Sequence, residues 1–151
     1  NSGNASLINS EEGVLYAEIS ALTDDGTQRS IAITDGTVNN IIVIRYNNYS
    51  GNPAIDAIYV NNGVLTTAAI LYSDSTDFTK IALSYQQGAL KLYVNGVLEI
   101  NVALVVNDAI NWNTLQFDIG NGTQKFYGNV KALAVYKTAL TDEQLTALTT
   151  I

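Results

Sequence analysis

The sequence predicts an all-β domain: two packed antiparallel sheets with one short C-terminal helix. Three observations carry that expectation. Short apolar stretches rich in Val, Ile, Leu and Tyr recur about every ten residues, separated by Asn, Asp, Gly, Ser and Thr, which is the spacing of an antiparallel sandwich rather than of strand–helix–strand units. Several stretches alternate: in Lys91-Leu92-Tyr93-Val94, Leu92 and Val94 fall on one face and Lys91 and Tyr93 on the other. The reversals between them carry Asn-Gly and Asp-Gly pairs, which supply the backbone conformations that tight turns need. A chain of 151 residues is long enough to bury one real core and short for two.

Taken in order, strands are expected over residues 14–20, 30–34, 41–46, 54–60, 65–71, 79–85, 89–94, 97–101, 114–119 and 128–136. The best-specified turn is Asn95-Gly96, because both residues tolerate the positive φ that a two-residue type I′ hairpin demands. Gly88 with Gln86 and Gln87, Gly63 with Asn61 and Asn62, Asp35-Gly36 and Asn121-Gly122 mark further reversals. Pro53 follows the polar run 47–52 and is expected in a fixed loop rather than inside a strand. At the C-terminus, Thr141-Asp142-Glu143-Gln144 is a capping box with acids in the first turn, and Leu145 and Leu148 follow at helical spacing. A helix this short is unstable alone, so Leu140, Leu145 and Leu148 must dock on the sandwich.

Composition removes most chemistries. With no Cys, His or Met, the chain lacks thiol nucleophiles, Ser-His triads, imidazole bases and the usual Zn, Cu or haem ligands. Seven basic against fourteen acidic residues give a formal charge of −7, which repels a phosphate backbone, and the basic residues are scattered singly. Nucleic acid is therefore excluded as an expected partner. No apolar run approaches the roughly 20 residues of a membrane span, so membrane insertion is not expected either. A chain that starts at Asn1 and contains no Met is expected to be a piece of a longer polypeptide. Residues 1–10 would then continue from an upstream chain, with 11–151 forming the domain.

Three segments together resemble a known family: 80–88, ending Ser84-Tyr85-Gln86-Gln87-Gly88; then Leu92-Tyr93-Val94-Asn95-Gly96; then 126–145, with Phe126-Tyr127-Gly128 at its start and Tyr136-Lys137-Thr138-Ala139-Leu140-Thr141-Asp142-Glu143 near its end. In order and spacing they are similar to the concanavalin A-like, laminin-G/pentraxin-type jelly-roll superfamily. The run 10–19, Ser10-Glu11-Glu12-Gly13-Val14-Leu15-Tyr16 and onward, is similar to the version found in bacteriophage tail and receptor-binding proteins. The resemblance spans about 11–149 and implies a two-sheet jelly roll whose concave face handles glycans in many relatives. It does not imply activity, since lectins, adhesion modules, hydrolases and structural spacers share this fold.

Hydrolases of this fold carry Glu-x-Asp-x-x-Glu on one strand, and that motif is absent here. The neighbouring acids Glu11-Glu12, Asp24-Asp25 and Asp142-Glu143 fall in turns or a helix cap and would diverge on a strand. A non-enzymatic module needing no cofactor is the expectation. Calcium is the hard-metal candidate, at Asp24 and Asp25 and at Asp74 and Asp77, with Asn107-Asp108 as a further loop, although none has EF-hand spacing. Glycan binding needs an exposed ring beside amides that hydrogen-bond hydroxyls. Tyr46, Asn47, Asn48, Tyr49 and Asn52 in one expected loop meet that requirement, and Trp112 between Asn111 and Asn113 is a second candidate.

The functional expectation is a carbohydrate-binding or adhesion module of a viral, phage tail or surface protein that recognises host glycan, at the virion surface or otherwise extracellular. Its expected partners are host-surface glycan and other virion subunits, including further copies of itself. Two alternatives stay open: a structural assembly or decoration domain without ligand, and a bacterial extracellular adhesion domain.

Overall fold

The computed structural model describes residues 5–106 and 111–151. A short 3₁₀ turn at Ala5–Leu7 leads into ten strands: β1 (Gly13–Ala21), β2 (Arg29–Thr34), β3 (Ile41–Tyr49), β4 (Asn52–Asn61), β5 (Val64–Leu71), β6 (Thr79–Gln86), β7 (Ala89–Val94), β8 (Val97–Val102), β9 (Thr114–Gln116) and β10 (Gly128–Tyr136). One helix, α1 (Asp142–Thr149), ends the chain. The strands form two five-stranded antiparallel sheets, in the orders β10-β1-β6-β7-β8 (sheet A) and β5-β4-β3-β2-β9 (sheet B).

All ten expected strands are present, and the departures have local causes. The strand expected over 114–119 stops at Gln116, because Asp118 and Asn121 turn the chain: Asp118 Oδ1 accepts from Gly120 N at 2.6 Å and Asn121 Oδ1 from Thr123 N at 3.0 Å. β3 runs on to Tyr49 and β4 begins at Asn52, with a tight turn at Ser50 (φ 54°) and Gly51 (φ 87°). Pro53 is consequently the second residue of β4, paired with Asn48, rather than a loop residue. The Asn95-Gly96 hairpin has the expected positive φ at both positions, 49° and 85°.

Alternation builds the core between the sheets. Leu15, Ala17 and Ile19 of β1, Ile81, Leu83 and Tyr85 of β6, and Leu90, Leu92 and Val94 of β7 face Ile31, Ile33, Ile42, Ile44, Tyr46, Ile55, Ala57 and Tyr59 of sheet B, all buried. Burial on this scale is the main stabilisation of a sandwich.

The two outer faces differ. On sheet A, α1 packs Leu145 against Val14, Tyr16, Ala82 and Tyr93, with Leu140 and Leu148 at the margin. Its start is the expected capping box, Thr141 Oγ1 accepting from Gln144 N while Gln144 Oε1 accepts from Thr141 N. On sheet B no helix is present among the described residues. The segment after β9 folds over one end, where Ile119 covers Ala32, Ile41, Val43, Ile58 and Val60. Among the described residues no helix or further strand lies over the other end of that face.

Candidate functional site

Register decides what the open end of sheet B displays. Ser30, Arg45, Asp56 and Ala69 lie in one row across β2, β3, β4 and β5. The next row brings Asn47 beside Ala54 and Leu71, and Tyr49 follows two residues further along β3. A charged pair thus sits in the middle of an otherwise uncharged face.

Asp56 is wholly buried, and its carboxylate is saturated with donors. Arg45 Nε donates to Oδ2 at 2.7 Å and Arg45 Nη2 completes the ion pair. Asn47 Nδ2 donates to Oδ2 at 3.0 Å and the Tyr49 hydroxyl to Oδ1 at 3.0 Å. A buried carboxylate on a sheet face is tolerable only with such compensation.

The Tyr49 contact has a geometric consequence. Tyr49 pairs with Asn52, so its hydroxyl reaches Asp56 only by crossing the row of Asn47 and Ala54. The side chain therefore runs along the sheet instead of away from it, pinned at its tip and still 45% exposed. A half-exposed ring tethered at its hydroxyl offers apolar surface on which a sugar can stack.

Two amides brace the residues around Asp56. Gln28 Nε2 donates to Asn47 Oδ1 at 3.1 Å. Gln124, from the segment that covers the far end of the face, accepts at Oε1 from Ser30 Oγ at 3.2 Å and Arg45 Nη1 at 3.4 Å, and its carbonyl accepts from Ser30 N at 3.0 Å. Gln124 holds a φ of 51°, a conformation uncommon for a residue with a side chain, which these three contacts fix. Beyond Tyr49 a shallow hollow of about 390 Å³ is lined by Asn52, Pro53, Leu71, Tyr72 and Ser73.

Of the glycan-binding residues read from sequence, Asn47 and Tyr49 lie on this open face. Asn48 and Asn52 shape the turn instead: Asn48 Oδ1 accepts from Gly51 N at 2.7 Å and Asn52 Nδ2 donates to Tyr49 O at 3.2 Å. Tyr46 and Trp112 are core residues, which removes their rings from solvent. Tyr46 is 3% exposed and donates to Ile19 O at 3.2 Å, and burial pushes its hydroxyl well above the ordinary tyrosine range. Trp112 is 2% exposed, set edge-on to Tyr59 and Tyr85 with ring centroids 5.5 and 5.2 Å away. Sequence reasoning missed Arg45, Asp56, Ser30, Gln28 and Gln124. Arg45 after the apolar run 41–44 was the available signal, since it marks Asn47 and Tyr49 as outward and Tyr46 as inward.

The calcium candidates are placed in turns. Asp25 Oδ1 accepts from Thr27 N at 2.9 Å and pairs with Arg29 at 2.9 Å. Asp74 Oδ1 accepts from Thr76 N and Oγ1 at 2.7 and 2.6 Å. Asp24 Oδ1 accepts from Ser75 Oγ at 3.0 Å, while the Asp77 carbonyl accepts from Thr79 Oγ1 at 3.2 Å. Hydrogen bonds to Asp25 and Asp74 hold both carboxyls below the usual range, the Thr27 amide leading for Asp25 and the Thr76 hydroxyl for Asp74. Among the described residues no three acidic side chains converge as metal ligands. Asn107-Asp108 lies outside the described residues.

Residues 14–146 match the family profile of the concanavalin A-like lectin/glucanases superfamily. No curated protein matches the chain. Among solved structures, it is similar to the CBM40 domain of the Ruminococcus gnavus IT-sialidase bound to α2,3-sialyllactose: TM-score 0.74, 17% identity, 96% of this chain and 86% of that one covered. It is likewise similar to domain 4 of AbnA, an extracellular GH43 arabinanase of Geobacillus stearothermophilus in complex with arabinotriose, with TM-score 0.71, 18% identity and coverage of 95% and 68%. A heptameric SAP-like pentraxin of Limulus polyphemus follows, with TM-score 0.66, 16% identity and coverage of 90% and 68%.

Proposed function

The chain belongs to the concanavalin A-like lectin/glucanases superfamily, and we propose that it is a non-catalytic glycan-binding module whose site is the open end of sheet B. The observation that carries this reading is Tyr49, a half-exposed ring tethered at its hydroxyl to Asp56, which also holds Asn47 and Arg45, themselves bonded to the amides of Gln28 and Gln124. Sugars present one apolar face and a rim of hydroxyls, so a fixed ring with flanking amides answers both. The neighbours solved with sialyllactose and arabinotriose support glycan as the ligand class.

The charge of Arg45 is already matched by Asp56, so the site favours neutral sugars over sugar acids. Acid–base hydrolysis needs two carboxyls about the bond to be cut. Asp56 is the carboxylate at the centre of the face, and its oxygens are occupied by Arg45, Asn47 and Tyr49. The resemblance of residues 10–19 to phage tail and receptor-binding domains makes host-surface glycan the biological ligand and a virion surface the setting in this reading. A glycan array tests it: the domain is expected to retain neutral glycans, and Tyr49→Ala to lose about tenfold or more in affinity with its melting temperature within a few degrees of wild type. No binding by the unaltered domain would overturn the reading, and undiminished binding by Tyr49→Ala would move the site.

A further inference from the structure

The two sheets have four edges, and three are blunted against pairing. β8 carries Glu99 and a register shift in its ladder with β7. β10 carries Lys131 and a shift in its ladder with β1. β9 is three residues long. β5, Val64-Leu65-Thr66-Thr67-Ala68-Ala69-Ile70-Leu71, has none of these devices: eight residues, no charge, no proline and an unbroken ladder with β4. In a chain of net charge −7, residues 62–73 carry no charge at all. Val64, Leu65 and Leu71 are 60%, 59% and 69% exposed.

The free hydrogen-bonding groups of this edge can be located. The two-residue turn Asn62-Gly63, with φ of 48° and 78°, makes Asn61 and Val64 a hydrogen-bonded pair. Alternation then turns the even residues of β5 toward β4, in agreement with the bond from Tyr72 N to Pro53 O at 2.8 Å. The N–H and C=O groups of Leu65, Thr67, Ala69 and Leu71 consequently point away from the sheet.

We propose that β5 pairs antiparallel with β5 of a second copy of this chain, about a two-fold axis through Ala68. Antiparallel partners must share a face, so only pairings that match odd with odd residues are allowed. Centring on Ala68 sets Leu65 against Leu71 and Thr67 against Ala69 of the other copy, and the reverse. Each of these pairs joins residues whose backbone groups point outward, giving about eight new hydrogen bonds. Large apolar side chains meet at both ends and small ones at the centre, so the strand is complementary to itself, as an isologous contact requires. Asp74, the nearest charge, falls opposite Asn62 and meets no like charge. The product is one continuous ten-stranded sheet.

An axis perpendicular to that sheet leaves both copies facing the same way. The two Tyr49 sites then open on one side of the dimer, and a surface bearing glycans engages both at once; this consequence rests on the binding reading above, whereas the dimer itself does not. Two-site engagement gains about 10²–10⁴ in apparent affinity without a new contact.

Light scattering or sedimentation of the full chain over roughly 1 µM to 1 mM is expected to show mass rising toward twice that of the chain. Leu65→Lys and Thr67→Lys, at exposed positions outside the row of Asp56, are expected to hold it monomeric with an unchanged circular dichroism spectrum. The chain has no cysteine, so Ala68→Cys is a clean probe: the new thiol falls beside its own symmetry mate and should form an intermolecular disulfide under mild oxidation, while Leu65→Cys should not. A monomer throughout the range, or a dimer that survives both lysine variants, overturns the proposal. Sensor-surface binding separates the two readings: the lysine variants should lose about tenfold or more in avidity while keeping wild-type affinity for soluble monovalent glycan. If no glycan binds at all, the mass and crosslinking results still decide the dimer.

Discussion

Replacing Asp56 by Ala perturbs the hub on which the candidate site rests. Asp56 is wholly buried and accepts from Arg45 Nε, Asn47 Nδ2 and the Tyr49 hydroxyl, besides pairing with Arg45 Nη2. Arg45 is itself 16% exposed, so the variant leaves a largely buried guanidinium without its counter-charge. Breaking a buried pair from one side costs about 3–5 kcal/mol. For a domain of this length each kcal/mol moves the melting temperature by about 2–4 °C, so a fall of about 10 °C is expected. Removing both charges together, as Arg45→Met with Asp56→Leu, leaves no buried charge unpaired and should recover part of that loss. Thermal melts followed by circular dichroism read both variants. An Asp56→Ala protein melting within about 2 °C of wild type, or a double variant no better than the single one, would refute the assignment of Asp56 as the electrostatic hub.

Two further outcomes follow from packing and charge. Leu145→Ala removes the one fully buried apolar side chain of α1 and should cost about 2–5 kcal/mol, with increased binding of an apolar dye as Val14, Tyr16, Ala82 and Tyr93 become accessible; a melt like wild type would mean that the helix contributes nothing. Stability should fall as pH drops below about 4, because the folded state holds Asp142 low through Lys91 and Asp74 low through Thr76, and so binds fewer protons than the unfolded chain there. It should fall again above about pH 10, since burial pushes Tyr93 up to about 12 and raises Tyr85, so ionisation favours the unfolded chain. Denaturation midpoints flat across either window would contradict the corresponding assignment.

Much of the fold was legible because its signals are local. Asn95-Gly96 specifies its own turn, and Thr141 with Gln144 specifies its own cap; neither depends on distant residues. The site was only half legible, because it is made by register. Asp56 stands alone in the apolar strand Ala54-Ile55-Asp56-Ala57-Ile58, and only its position opposite Arg45 explains why a carboxylate is stable there. Tyr46 and Tyr49 look alike in a polar stretch, yet three steps along a strand put them on opposite faces. Gln124 reaches the face from 79 residues beyond Arg45 through a backbone turn that no pairing rule predicts. Trp112 illustrates the reverse error: polar neighbours suggested exposure, while Tyr59 and Tyr85 enclose its ring.

The location of the binding face can be measured directly by recording amide and aromatic NMR shifts of the isotope-labelled domain while titrating a neutral oligosaccharide retained on the array. The account predicts saturable shifts centred on Tyr49, Asn47, Gln28, Gln124 and the Arg45 guanidinium, with α1 and the Trp112 indole unmoved. Shifts centred instead on α1, on Trp112 or on the turn at Asn95-Gly96, with Tyr49 silent, would contradict it.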